Sequence, residues 1–138
     1  NHDNGIEARV KLTERSGKAA GSKIVRGTAL IATLTITPKA GTLKEVVVSM
    51  PLAAGLEIEK ASYQAAGESA SPNVRAEARD DRLLLYISRL EKPLVWRCAI
   101  RAVTEGNFIV PQTSAECMYD PAVTSLTGGG KLEITKGK

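Results

Sequence analysis

Apolar side chains recur at every second residue along most of this chain, and that period confines it to strands. In "IEARVKLT" (6–13), Ile6, Ala8, Val10 and Leu12 alternate with Glu7, Arg9, Lys11 and Thr13. One face of such a segment can be buried and the other left in water. "ALIATLTIT" places Leu30, Ala32, Leu34 and Ile36 on one face, and "LVWRCAIRAV" does the same with Trp96, Cys98, Ile100 and Ala102. "GLEIEK" points Leu56 and Ile58 inward. "TLKEVVVSM", with three successive valines, reads as a strand buried on both faces. "DDRLLLYIS" is entered through the acidic turn Asp80-Asp81 and carries Leu84 as a core position, and "KLEIT" is a last short strand. No 3.6-residue period competes; "YQAAGESA" and "PAVTSL" have room for one helical turn each. About seven to nine strands, separated by frequent turn signals, predict an all-β chain folded as an antiparallel β-sandwich.

The connections carry further expectations. "PKAG" (38–41) is a turn, and "AAGESASPN" (65–73) is a small-polar loop. "TEGN" reads as a tight hairpin joining "LVWRCAIRAV" to "FIVPQTSAECMY", with Thr104 opposite Asn107 and Cys98 opposite Thr113. Cys117 is then four residues beyond Cys98's partner, roughly 13 Å away at strand spacing. A disulfide needs Cα atoms within about 7 Å, so both thiols are expected free. "DPAVTSLTGGG" reads as a loop. Its "TGGGK" lacks the Gly-Lys-Ser/Thr spacing of a phosphate loop and leads into a strand rather than a helix.

With 138 residues, positions 1–138 form one domain, long enough to bury its own core without a metal or disulfide. The net charge of +4 is spread among acids, as in "EARDDRL", without the clustered cations and stacking aromatics of a nucleic-acid binder. No apolar run reaches the ~18 residues of a membrane span, so no direct membrane insertion is expected. The single histidine, His2, falls in a segment expected to fray, and neither cysteine has metal-ligand spacing. Acid–base, nucleophilic and zinc chemistry each lack a reagent. The reading is therefore a non-catalytic module with no metal and no cofactor. Asp80-Asp81 and the carboxylates flanking Met118-Tyr119 read as turn chemistry. Trp96 reads as core; its alternative, an exposed platform for sugar stacking, belongs to a carbohydrate-binding or adhesion-type immunoglobulin-like module of a cell-surface protein.

Three blocks are more specific. "MPLAAGLEIE", "RDDRLLLYI" and "IRAVTEGNFIVPQTSAECMYDP", in this order over residues 50–121, resemble the carboxy-terminal macroglobulin-like domain of bacterial alpha-2-macroglobulins. The chain departs from that pattern in "MPLAAG", where the proline is shifted, and at Ser49, where an aspartate is common. The resemblance implies the carboxy-terminal domain of a much larger protease-trapping chain of the bacterial envelope, periplasmic or at the surface. It implies neighbouring macroglobulin domains and a thioester domain as partners, and trapped proteases indirectly. Neither cysteine is the reactive one: a thioester needs Cys-x-x-Gln, and Cys98 is followed by "AIR" and Cys117 by "MYD".

The resemblance also gives "AECMYDPAV" (115–123) a role. Met118 and Tyr119, flanked by Glu116, Asp120 and Pro121, would form the contact that shields the thioester domain from water. From the residues alone two readings stay open. Met118 could pack in the sandwich while Tyr119 caps a hairpin, or both could stand at a contact surface.

Overall fold

The computed structural model describes residues 2–39, 41–59 and 73–136. These form thirteen strands and no helix: β1 (His2–Asn4), β2 (Ile6–Glu14), β3 (Lys23–Val25), β4 (Ala29–Pro38), β5 (Leu43–Pro51), β6 (Leu56–Ile58), β7 (Val74–Ala78), β8 (Arg82–Leu90), β9 (Leu94–Ala102), β10 (Gly106–Ile109), β11 (Gln112–Cys117), β12 (Asp120–Gly128) and β13 (Lys131–Thr135). They pair in the orders β1-β12-β11-β5-β8-β7, β2-β4-β9-β6 and β10-β13-β3. All neighbours are antiparallel except β13 and β3. β2 lies against β12 and β11, which brings the six-stranded and four-stranded sheets face to face.

The alternation read from the sequence is the alternation that packs. Leu30, Ala32, Leu34 and Ile36 of β4 are buried, as are Trp96, Cys98, Ile100 and Ala102 of β9 and Leu56 and Ile58 of β6. From the six-stranded sheet, Val46, Val48 and Met50 of β5 meet them together with Leu83, Leu85 and Ile87 of β8. Trp96 is thus core and cannot be the sugar platform of the adhesion reading.

Several expectations are corrected. Val47 is only half-buried, because β5 faces the core on one side alone. Leu84 points the same outward way, and Leu83 and Leu85 hold the interior instead. "PAVTSL" is not a helical turn; it lies within β12. His2 does not fray: it pairs with Leu126. "YQAAGESA" and nearly all of "AAGESASPN" fall outside the described residues.

"TEGN" does not join two paired strands. β9 pairs with β4 and β6, whereas β10 pairs with β13 and β11 with β12 and β5. Cys98 and Cys117 therefore sit in opposite sheets, both as free thiols. Facing sheets stand about 10 Å apart, still beyond disulfide reach.

The actual hairpin is longer and bent. Its arms are β10–β11 and β12–β13, with Gly106 opposite Ile134 at one end and Cys117 opposite Asp120 at the other. Between them the chain changes sheets at Val110-Pro111 and, across from these, at Gly129-Gly130. The Val110 N–H donates to the Gly130 carbonyl at 2.9 Å across this corner. Gly128, Gly129 and Gly130 all have left-handed φ (84°, 102° and 109°), which a side chain would resist. Strands that switch sheets need a bend of this kind.

Candidate functional site

The end of the bent hairpin is where the candidate contact residues meet. With Cys117 opposite Asp120, the whole loop is Met118-Tyr119. Glu116, Met118, Tyr119, Asp120 and Pro121 are all exposed. Tyr119 is 82% exposed and Met118 56%, whereas Cys117 beside them is only 6% exposed. The reading in which Met118 fills the sandwich therefore fails.

The geometry of the turn explains the odd sequence after it. Two-residue hairpins favour primed turns, whose positive φ matches the strand twist. Here neither loop residue has positive φ; among the described residues Glu45 is the one non-glycine that does. An unprimed turn splays its strands, and the ladder shows it. Glu116 pairs with Thr124 and the next residue, Cys117, with Asp120. Pro121, Ala122 and Val123 are left opposite no residue of β11. A proline has no N–H to give a ladder, so a bulge is where a strand tolerates it.

Side chains and backbone from elsewhere hold this irregular tip. The Met118 N–H donates to the Glu45 carbonyl of β5 at 2.9 Å. Asp120 Oδ1 accepts the Ala122 N–H at 3.3 Å, and Asn4 Nδ2 donates to the Ala122 carbonyl at 2.6 Å. Val123 packs against Gly5, where an added Cβ would lie 3.3 Å from its methyl groups. Glu45, Asn4 and Gly5 were not singled out from the sequence. "NG" at 4–5 is a turn signal and lies at the bend before β2, a mark the reading passed over, whereas nothing in the local sequence marks Glu45.

Burial pushes the Cys117 thiol pKa up, and the Asp120 carboxylate adds to the rise. Beside Met118 lies a groove of about 430 Å³ bordered by Glu45, Val74, Arg75 and Tyr86. The Arg75 guanidinium lies 4.4 Å from the Tyr86 ring centre, a cation–π contact. What the tip offers is apolar area, one phenolic hydroxyl and a fixed direction.

Residues 5–122 match the family described as Bacterial Alpha-2-macroglobulin MG10 domain. The chain is 26% identical over 137 residues to an alpha-2-macroglobulin of Pasteurella multocida (strain Pm70), covering 96% of this chain and 7% of that protein. It is 30% identical over 111 residues to one of Ralstonia nicotianae (strain ATCC BAA-1114 / GMI1000), covering 71% of this chain and 7% of that protein. The chain thus spans 7% of the length of these curated relatives. In fold it is similar to the crystal structure of Salmonella alpha-2-macroglobulin reacted with methylamine: TM-score 0.82, 22% identity, 97% of this chain and 9% of that one.

Proposed function

From the premise that this chain belongs to the bacterial alpha-2-macroglobulin MG10 domain family, we propose that it is a non-catalytic, carboxy-terminal domain of a far longer protease-trapping protein. Its hairpin tip packs against a thioester-bearing domain and keeps water from the ester until a bait segment is cut. The parent belongs to the bacterial envelope, periplasmic or at the surface. Its trapped proteases meet this domain only indirectly, while its neighbouring macroglobulin domains pack around it.

One observation carries this reading. Tyr119 and Met118, the two residues of a turn tied to β5 by a backbone hydrogen bond, expose large apolar surface to solvent. Met adapts to an irregular partner, and Tyr joins apolar area to a hydroxyl. Burying one such side chain is worth about 1.5–3 kcal/mol, enough to hold a docked surface that can still be released. Excluding water from an ester slows its hydrolysis directly. A relative that was reacted with methylamine fits a protein carrying an amine-reactive carbonyl.

The test is made in the intact parent protein. Met118→Ala/Tyr119→Ala should shorten the lifetime of the amine-reactive thioester by about tenfold or more, the factor that loss of ~1.4 kcal/mol of docking energy implies. An unchanged lifetime would remove the shielding role.

A further inference from the structure

We infer that Glu45 is the positioning residue of the Met118-Tyr119 tip, acting through its left-handed backbone and not through its carboxylate. The inference rests on the docking role proposed for the tip and names what aims it.

Glu45 has φ 53°, a conformation that residues other than Gly, Asn and Asp seldom adopt. It does so inside a paired region. Lys44 lies opposite Arg89 and Val46 opposite Ile87 on β8, while Val46 also lies opposite Cys117 on β11. The inward alternation of β5 breaks at this point: Leu43 and Val46 are both buried, and Lys44 and Glu45 between them are both exposed. The partner strand answers with Leu90 and Ile87 buried and Arg89 and Ser88 exposed. An unfavourable backbone conformation persists where its surroundings over-determine it, and such residues concentrate at functional places.

Here the surroundings include the tip. The β11–β5 ladder runs from Ser114 opposite Ser49 to Cys117 opposite Val46. One step further, the carbonyl of Glu45 accepts the Met118 N–H at 2.9 Å. This is the bond that ties the first loop residue to the central part of the sheet, whereas the Asp120 and Asn4 contacts hold only the returning strand. If Glu45 relaxed to an extended conformation, its peptide plane would rotate and that carbonyl would leave Met118. The Glu45 side chain is exposed, so the charge is not what the position requires.

The test is a series at one position: Glu45→Gln, Glu45→Gly, Glu45→Asn and Glu45→Val. Gln removes charge alone, Gly and Asn accept left-handed φ, and β-branched Val resists it. In the 138-residue chain, amide hydrogen exchange read by NMR should leave Met118 as protected as in the parent sequence for Gln, Gly and Asn. Val should speed it at least tenfold while the Val48 and Leu85 amides keep their protection. If Val destabilises the whole domain, Glu45→Thr, β-branched but polar, takes its place in the series and is read in the same way. Equal Met118 protection across the series overturns the inference, and so does a loss shared equally by Met118, Val48 and Leu85.

In the parent protein, thioester lifetime should follow the same order, with Gly and Asn behaving as rescues of Val. A lifetime unaffected by Glu45→Val but shortened by Met118→Ala/Tyr119→Ala refutes the positioning role alone. A lifetime unaffected by the double variant refutes the shielding role, and the Met118 amide then still decides whether Glu45 fixes the tip.

Discussion

At the scale of single residues, the two ends of the bent hairpin obey opposite rules. Near its open end Gly55 is buried against β10 and β13. A Cβ there would fall 2.5 Å from both Ile134 Cδ1 and Phe108 Cε2. Gly55→Ala should therefore cost about 1–3 kcal/mol by overpacking, read as a lower urea midpoint at unchanged m-value. A neutral result would mean that Phe108 can swing aside freely. At the closed end nothing is packed so tightly. Met118→Ala and Tyr119→Ala should each change the chain's own stability by under about 0.5 kcal/mol, as exposed positions do. Leu85→Ala, at a fully buried position, should cost about 2–5 kcal/mol in the same assay. A tip variant as damaging as Leu85→Ala would place the tip in the core.

At the scale of elements, β1 shows how a three-residue strand is held. The Ala8 N–H of β2 donates to Ser125 Oγ of β12 at 3.1 Å, and that hydroxyl donates to Asp3 Oδ1 at 2.6 Å. Arg9 donates to both oxygens of the same carboxylate, at 3.0 and 2.7 Å. The Arg9 hydrogen bond, then that of Ser125, holds the Asp3 carboxyl well below the usual carboxylate range. A depressed folded-state pKa adds stability that is fully present above the ordinary value of 3.8 and is lost as the pH falls below it. Asp3→Asn should thus weaken the domain near neutral pH and flatten the loss of stability below about pH 4, seen in urea midpoints across an acid series. An acid limb as steep as before would assign the clamp no part in it.

The same elements show what was legible in the sequence. β2, β4 and β9 were readable because an apolar residue returns at every second, inward position, even where Ile31 or Ala99 stands on the outward face. β12 inverts that code: Ser125 and Thr127 are buried and Leu126 is exposed, so hydropathy hid the strand. The "TEGN" hairpin failed for another reason. Local turn chemistry cannot report that β9 finds its partners about 45 and 65 residues earlier in the chain, at β6 and β4. The exposed Met118-Tyr119 pair was legible from its motif, but its supports, Glu45 and Asn4, lie far off in sequence and carry no mark of their own.

At the scale of the whole molecule, the two thiols report on the closed sandwich. Cys98 is buried in the four-stranded sheet and its pKa is pushed up to about 12 by that burial; Cys117 is buried in the six-stranded sheet. Alkylation without reductant should be slow in the native chain and give two labels once it is unfolded. Zero labels after unfolding would mean a disulfide and a different arrangement of the sheets. A last consequence follows from the unprimed turn at the tip. Primed hairpin turns restrict their residues to Gly, Asn or Asp, so the backbone dictates the letters. This turn imposes no such quota on positions 118 and 119, since neither has a positive φ. Mutation can therefore try many side-chain pairs there without risk to folding, and the partner alone judges them. Such a tip can keep pace with a changing partner while the rest of the domain stays as it is.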